Sequence, residues 1–229
     1  MKSHEPVLFQ SAVFSDTPRE SFPPAEKIDR DAEDRKSMLR DWKNDGEGQN
    51  LVKLAYALGV GKIILANRDM DKDNFLGQYL YAGDSHAFRE TSRKPWNLSA
   101  RQLATIKRAL RSDRDVILLA YEAWGDFDAT LAHELGHFIN NRLEGLSRPE
   151  SSHVTESMRH VARFDEYFFQ NKDEFYAETW ARFLCCEKNR ALFRYLNHPL
   201  GRLRMKHPRK TRLILELAKR CANQDLLHC

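Results

Sequence analysis

Thr130-Leu-Ala-His-Glu-Leu-Gly-His-Phe-Ile139 is the stretch on which the reading of this chain turns. A helix advances about 100° per residue, so His133 and His137 leave one face a single turn apart and can share a metal ion. Glu134 stands beside them and completes a His-Glu-x-x-His arrangement. Two imidazoles in that spacing suit Zn²⁺, and the carboxylate can take a proton from water at the metal and pass it to a leaving amine. The chemistry expected is peptide hydrolysis. Because so short a motif also arises by chance, the reading needs a third ligand.

Two continuations can be tested. Where the metzincin pattern puts a Gly and then a third His, this chain has Asn140 and Leu143, which excludes that pattern. In the other continuation the ligand is a Glu on a later helix, and Lys172-Asp-Glu-Phe-Tyr-Ala-Glu-Thr-Trp-Ala-Arg-Phe-Leu184 supplies two, Glu174 and Glu178, one turn apart. Ala177, Ala181 and Leu184 are small or apolar on the adjoining face, which allows close helix packing. One Glu can bind metal while the other supports it.

Taken together, His133-Glu-Leu-Gly-His137, then Tyr167, then Glu174-Phe-Tyr-Ala-Glu-Thr-Trp180 resembles the catalytic domain of anthrax lethal factor and its relatives, the Pro-Pro endopeptidases. Their pattern runs His-Glu-Phe-Gly-His, a Tyr, and then Glu-Phe-Phe-Ala-Glu-x-Phe. Six residues separate Tyr167 from Glu174, the interval of that pattern. Lys206-His-Pro-Arg-Lys-Thr-Arg-Leu-Ile214 is similar to the proline-lysine-threonine segment that opens the family's last helix. The likeness runs over about residues 115 to 220; Leu135 and Trp180 depart from it, and the N-terminal half shows none. The resemblance implies a Glu-ligand zincin in which His133, His137 and Glu174 bind one zinc, Glu134 serves as base and then acid, and Tyr167 donates to the oxyanion. Glu178 is the candidate for orienting a ligand histidine through its free ring N–H.

The rest of the chain has to house such a site. A 229-residue chain with 41% hydrophobic residues can supply one large core, and a net charge of +4 gives no strong case for nucleic acid or membrane partners. The four cysteines, Cys185, Cys186, Cys221 and Cys229, fit no zinc-finger spacing and read as reduced thiols, with at least one of the adjacent pair packed as a small apolar residue. Met1 to Glu26 mixes Ser, Pro and charges and reads as a flexible tail without a signal-peptide core. A weakly apolar helix over 28–45 and a second from Gln49 to Leu58, ended by Gly59 in the left-handed conformation, are expected next. Lys62–Ala66 and Phe75–Tyr81 read as strands around an acidic turn, Asp69–Asp73, whose Asn74 and Leu80 disqualify it as a calcium loop.

Ser99 with Gln102 announces a capped helix carrying Leu103, Ile106 and Leu110, with Pro95-Trp-Asn leading into it. Asp115–Tyr121 is a buried strand by its continuous apolar run, and one of the short strands is expected to present the edge on which substrate lies. Beyond Asn141, a loop over 144–152 precedes a helix over 154–167, and His153 and His160 there read as surface or capping histidines. The basic run Arg202, Arg204, Lys206, Arg209, Lys210, Arg212 reads as a solvated face.

The sequence thus predicts an α+β fold, mostly helical with a small sheet: a zincin-like metalloprotease domain over 27–229 behind the tail over 1–26. The expected function is a zinc endopeptidase; the resemblance to lethal factor implies a flexible, proline-containing substrate segment and a bacterial effector translocated into a host cytosol, which the lack of a hydrophobic signal and the unpatterned cysteines suit. Alternatives are an antirepressor-type protease of the bacterial cytoplasm, which places its Glu helix closer to the motif, or a zinc-stabilised interaction module.

Overall fold

The computed structural model describes residues 46–68, 76–84, 96–121, 127–143, 158, 172–185 and 190–224. The tail over 1–26, the helix expected over 28–45, the acidic turn at Asp69–Asp73, the loop over 144–152, Tyr167, His153 and His160 lie outside them. What is described is mostly helical around a small mixed sheet.

Helix α1 (Gly46–Leu58) stops at Gly59, whose φ of 112° is one that L side chains rarely adopt. Strand β1 (Lys62–Arg68) follows, then β2 (Gly77–Leu80), shorter than the expected Phe75–Tyr81. Trp96–Asn97, read from sequence as the approach to a helix, forms a two-residue strand, β3. Helix α2 (Ala100–Arg111) carries the expected cap: the Ser99 hydroxyl accepts from the Gln102 N–H, and the Gln102 side chain accepts from the Ser99 N–H. The sheet order is β2-β4-β1-β3, with β4 (Val116–Ala120) parallel to β1 and antiparallel to β2. Every residue of β4 is fully buried, as its unbroken apolar run requires of a central strand covered on both faces.

Helix α3 (Phe127–Phe138) lies on the face of the sheet to which Gly77 and Tyr79 point, where the Tyr79 and Phe138 rings meet edge to face. It continues into a wider π-helical turn, Ile139–Leu143. Helix α4 (Lys172–Leu184) packs along α3. Among the described residues Trp180, Phe138 and Phe175 are the largest fully buried side chains, the first two in the main core and Phe175 in a smaller cluster with Met158 and Leu192; truncating any one of them to Ala would cost about 3–5 kcal/mol. After α4 the chain turns at Cys185, which is exposed because the helix ends one residue before it; the expectation that at least one of Cys185 and Cys186 packs as a small apolar residue is not met at Cys185, and Cys186 lies outside the described residues.

The C-terminal part is a short helix α5 (Arg190–Phe193), a 3₁₀ turn (Arg194–Leu196), α6 (Asn197–Lys206) and α7 (Pro208–Gln224). Arg204, Lys206, Arg209 and Arg212 are exposed, as a solvated face requires. Lys210 is not part of it: its ammonium donates to the Leu58 carbonyl at the end of α1, where a helix leaves unsatisfied acceptors and a negative dipole end. Pro208 occupies the first helical position, and the Thr211 hydroxyl donates to the His207 carbonyl. Among the described residues, no helix is long and apolar enough to cross a membrane.

Candidate metal centre

The three side chains that can hold an ion come from α3 and α4. Their approach is set by small residues: a Cβ on Gly136 would stand 2.5 Å from the Ala177 carbonyl oxygen and 2.7 Å from its Cα. Only glycine opposite alanine lets the two backbones come this close. The contact lies between His133 and His137 on one helix and between Glu174 and Glu178 on the other, so close packing and ligand placement have one cause. A second tie holds the ends together, since the Trp180 indole N–H donates to Asn140 Oδ1 at 3.1 Å.

His133 Nε2 lies 3.1 Å from His137 Nε2 and 3.2 Å from Glu174 Oε2, and His137 Nε2 lies 3.6 Å from the same oxygen. All three residues are at most 3% exposed. An imidazole nitrogen carries at most one hydrogen, so no placement of protons makes good hydrogen bonds along every side of this triangle. One cation inside it satisfies all three atoms. An ion bound tetrahedrally at about 2.0–2.2 Å separates its ligand atoms by roughly 3.3–3.6 Å, close to what is found. The donor set of two imidazoles and one carboxylate therefore suits a metal ion.

The ring of His133 is held from behind. Its Nδ1 lies 2.9 Å from Glu178 Oε2, which fixes Nε2 as the nitrogen turned toward Glu174 and His137. Glu178 Oε1 accepts from Arg182 Nε at 3.1 Å, so each carboxylate oxygen has its own partner. Burial alone would lower the His133 pKa, but hydrogen bonds to Glu174 and Glu178 outweigh it and hold the ring well above 6.5. Burial would likewise raise Glu174, yet the adjacent His137 and His133 hold it at about 2. Glu178 is also lowered: burial opposes the charge, and His133 and Arg182 more than offset it. The pocket therefore favours ionised carboxylates beside a protonated His133, whose proton a metal ion would have to displace.

Glu134 is fully buried and faces β2. A Cβ on Gly77 would meet its Oε1 at 2.6 Å, its Cγ at 2.8 Å and Thr130 Cγ2 at 2.8 Å, so β2 passes directly over this carboxylate because residue 77 has no side chain. The β2 register settles how its backbone points. The Ala120 N–H donates to the Leu76 carbonyl, so Gln78 and Leu80 also exchange hydrogen bonds with β4, and the N–H and C=O groups of Gly77 and Tyr79 face the other edge. No described strand pairs with that edge.

The structure brings together His133, Glu134, His137, Glu174 and Glu178 of the sequence-derived set; Tyr167 lies outside the described residues. Arg182 was not anticipated, although its position one turn beyond Glu178 is the spacing of a helical ion pair. Nor was the network at the end of α3, where Tyr79 Oη donates to Asp115 Oδ2 at 2.9 Å, the Ala82 N–H donates to Oδ1 at 2.8 Å, and Arg142 reaches both Asp113 and Asp115. It ties β2 to β4 and to the π turn, and no local pattern announces it. Comparison with known proteins finds no matching family model, no matching curated protein and no matching solved structure.

Proposed function

We propose that the protein is a zinc-dependent endopeptidase of the Glu-ligand zincin type, with His133, His137 and Glu174 as ligands. The observation that carries this is the buried triangle of donor atoms, with sides of 3.1, 3.2 and 3.6 Å, built from a His-Glu-x-x-His helix and a second helix. A bound zinc supplies a Lewis acid that acidifies water and polarises a carbonyl. Glu134, one residue from His133 and under β2, takes the proton from the attacking water and delivers it to the leaving amine. Glu178 holds the ring of His133 in the ligating tautomer. β2 is an edge strand of the described sheet, and the outward N–H and C=O of Gly77 offer an extended peptide a place to pair beside Glu134. Tyr167 is assigned to the oxyanion through the resemblance to lethal factor, as is the preference for proline-containing segments of host proteins after delivery from a bacterium.

Glu134→Gln tests the reading. The amide keeps the shape but cannot accept the proton, so the variant is expected to hold one zinc per chain and remain folded while new N-termini in host-cell lysate, mapped by proteomics, disappear. Cleavage that persists in this variant refutes the mechanism. A broad spread of unrelated sites, or cleavage of bacterial proteins alone, refutes the host-directed role.

A further inference from the structure

Behind the ligand histidine stands a group that neither the motif nor the proposed chemistry uses. Arg182 is only 8% exposed, and its Nε donates to Glu178 Oε1 at 3.1 Å. A guanidinium placed this deep loses its hydration, which is costly unless an anion accepts from it in good geometry. Glu178, 7% exposed, is that anion, and its other oxygen meets His133 Nδ1 at 2.9 Å. The three groups form a line from α4 to α3: guanidinium, carboxylate, imidazole. Were the carboxylate held by His133 alone, it could turn about its terminal bond and swap or share oxygens. With Nε fixed on Oε1, only Oε2 is left for the ring.

We propose that Arg182 is a positioning residue for the metal centre: it fixes the Glu178 carboxylate, which fixes the His133 ring and so sets the affinity for the ion. The inference rests on the metalloenzyme reading but concerns metal binding, not turnover. Its helix spacing makes the Glu178–Arg182 contact cheap to hold, because both side chains rise from one helix a turn apart and neither depends on a loop. The contact shown for Arg182 is with Glu178 Oε1 and not with a ligand atom, so the influence proposed for it passes through that carboxylate. That gives the inference a signature a merely structural arginine would lack, namely coupling.

The test measures zinc affinity of the full chain by competition with a chelating dye, for wild type, Arg182→Met, Glu178→Gln and the double variant, with thermal unfolding of each metal-free protein alongside. Gln at 178 has a single acceptor oxygen and cannot accept from both Arg182 Nε–H and His133 Nδ1–H, so the line is broken there in either orientation. Loss of a partner behind a metal ligand costs about 10–100-fold in affinity, and one step further out the lower end, about tenfold, is expected for Arg182→Met. In the Glu178→Gln background the same change is expected to cost less than about twofold. Unchanged zinc affinity in Arg182→Met, or an equal loss in both backgrounds, overturns the inference and leaves Arg182 a packing residue. A wild-type chain that binds no zinc overturns the metalloenzyme reading as well, and is told apart from the first outcome by that measurement alone. Should Arg182→Met fail to fold, Arg182→Lys keeps the charge but not the planar N–H, and is expected to show a smaller loss that again vanishes with Gln at 178; no loss in either background refutes the role.

Discussion

Gly136→Ala is the substitution that bears most directly on how the site is built. The added Cβ would lie 2.5 Å from the Ala177 carbonyl oxygen and 2.7 Å from its Cα, against about 3.4 Å for ordinary contact. Both are backbone atoms of a helix, so nothing flexible can give, and α3 and α4 have to part by about 0.9 Å at the crossing. Forcing an extra methyl into a packed core costs about 1–3 kcal/mol, while replacing Gly by Ala inside a helix returns about 1 kcal/mol, so the net change in stability lies between nothing and about 2 kcal/mol. The metal site has far less tolerance. Metal–ligand distances have to hold to about 0.2 Å, and the widening falls directly between the two histidines and Glu174. Zinc affinity is therefore expected to drop by at least about tenfold even where the melting temperature barely moves. Dye competition for zinc and thermal unfolding, run on one preparation, separate the two effects. A variant with native zinc affinity would show that the Gly136–Ala177 crossing does not set the ligand triangle, and the spacing of the ligands would need another cause.

Three further substitutions test the site and its surroundings. Glu174→Ala removes a ligand and is expected to lose more metal affinity than Glu178→Ala, whose loss should stay within about 10–100-fold because it only frees a histidine ring; the reverse order would place the ligand on the wrong turn of α4. Burial raises the pKa of Asp115, an effect only partly offset by the N–H of Ala82, the hydroxyl of Tyr79 and the charge of Arg142. The native state then binds its proton more tightly than the unfolded chain, so this group's contribution to stability falls as pH rises from about 4 through the raised value, by about 1.4 kcal/mol for each tenfold by which folding tightens proton binding. Unfolding of the metal-free protein in denaturant across that range should show wild type losing stability relative to Asp115→Asn as pH rises; a constant difference, or one of opposite slope, would show that Asp115 is not held in this way.

What the sequence made legible is what local spacing determines. The histidines a turn apart on α3, the two glutamates a turn apart on α4, the Ser99–Gln102 cap and the apolar run of β4 each follow from residues within a few positions of one another, and each stands as expected. Elements made by distant partners were not legible. Trp96–Asn97 is a strand because Asn67 and Arg68 pair with it, and two residues carry no alternation of their own. Lys210 looks like one more cation in a basic run, and only the arrival of Leu58 at its ammonium makes it a helix cap. Cys185 continues the apolar period of α4 in sequence, but the helix ends before it and leaves it exposed. At the site, the residue types were legible and the supporting contacts less so. Glu178 could be chosen because it shares a face with Glu174, whereas the passage of Gly77 over Glu134 joins segments more than fifty positions apart.

The α3–α4 contact also explains why so polar a cluster sits in the middle of the core. His133, Glu134, His137, Asn140, Glu174, Glu178 and Arg182 are all less than a tenth exposed, between apolar neighbours such as Leu131, Leu135, Phe175 and Leu184. Charges taken this far from water destabilise the fold unless each finds a partner, and an apolar pair of helices would pack at lower cost. The arrangement holds because its geometry is enforced by groups that do not touch the triangle: Gly136 against Ala177 sets the distance, and Trp180 on Asn140 fixes the ends. Relaxing the polar groups would disturb the packing of Trp180, Phe138 and Phe175, each of which would cost about 3–5 kcal/mol on truncation to Ala. The core around the cluster thereby holds it in a geometry compatible with a metal ion, whose binding would offset the desolvation that the core imposes.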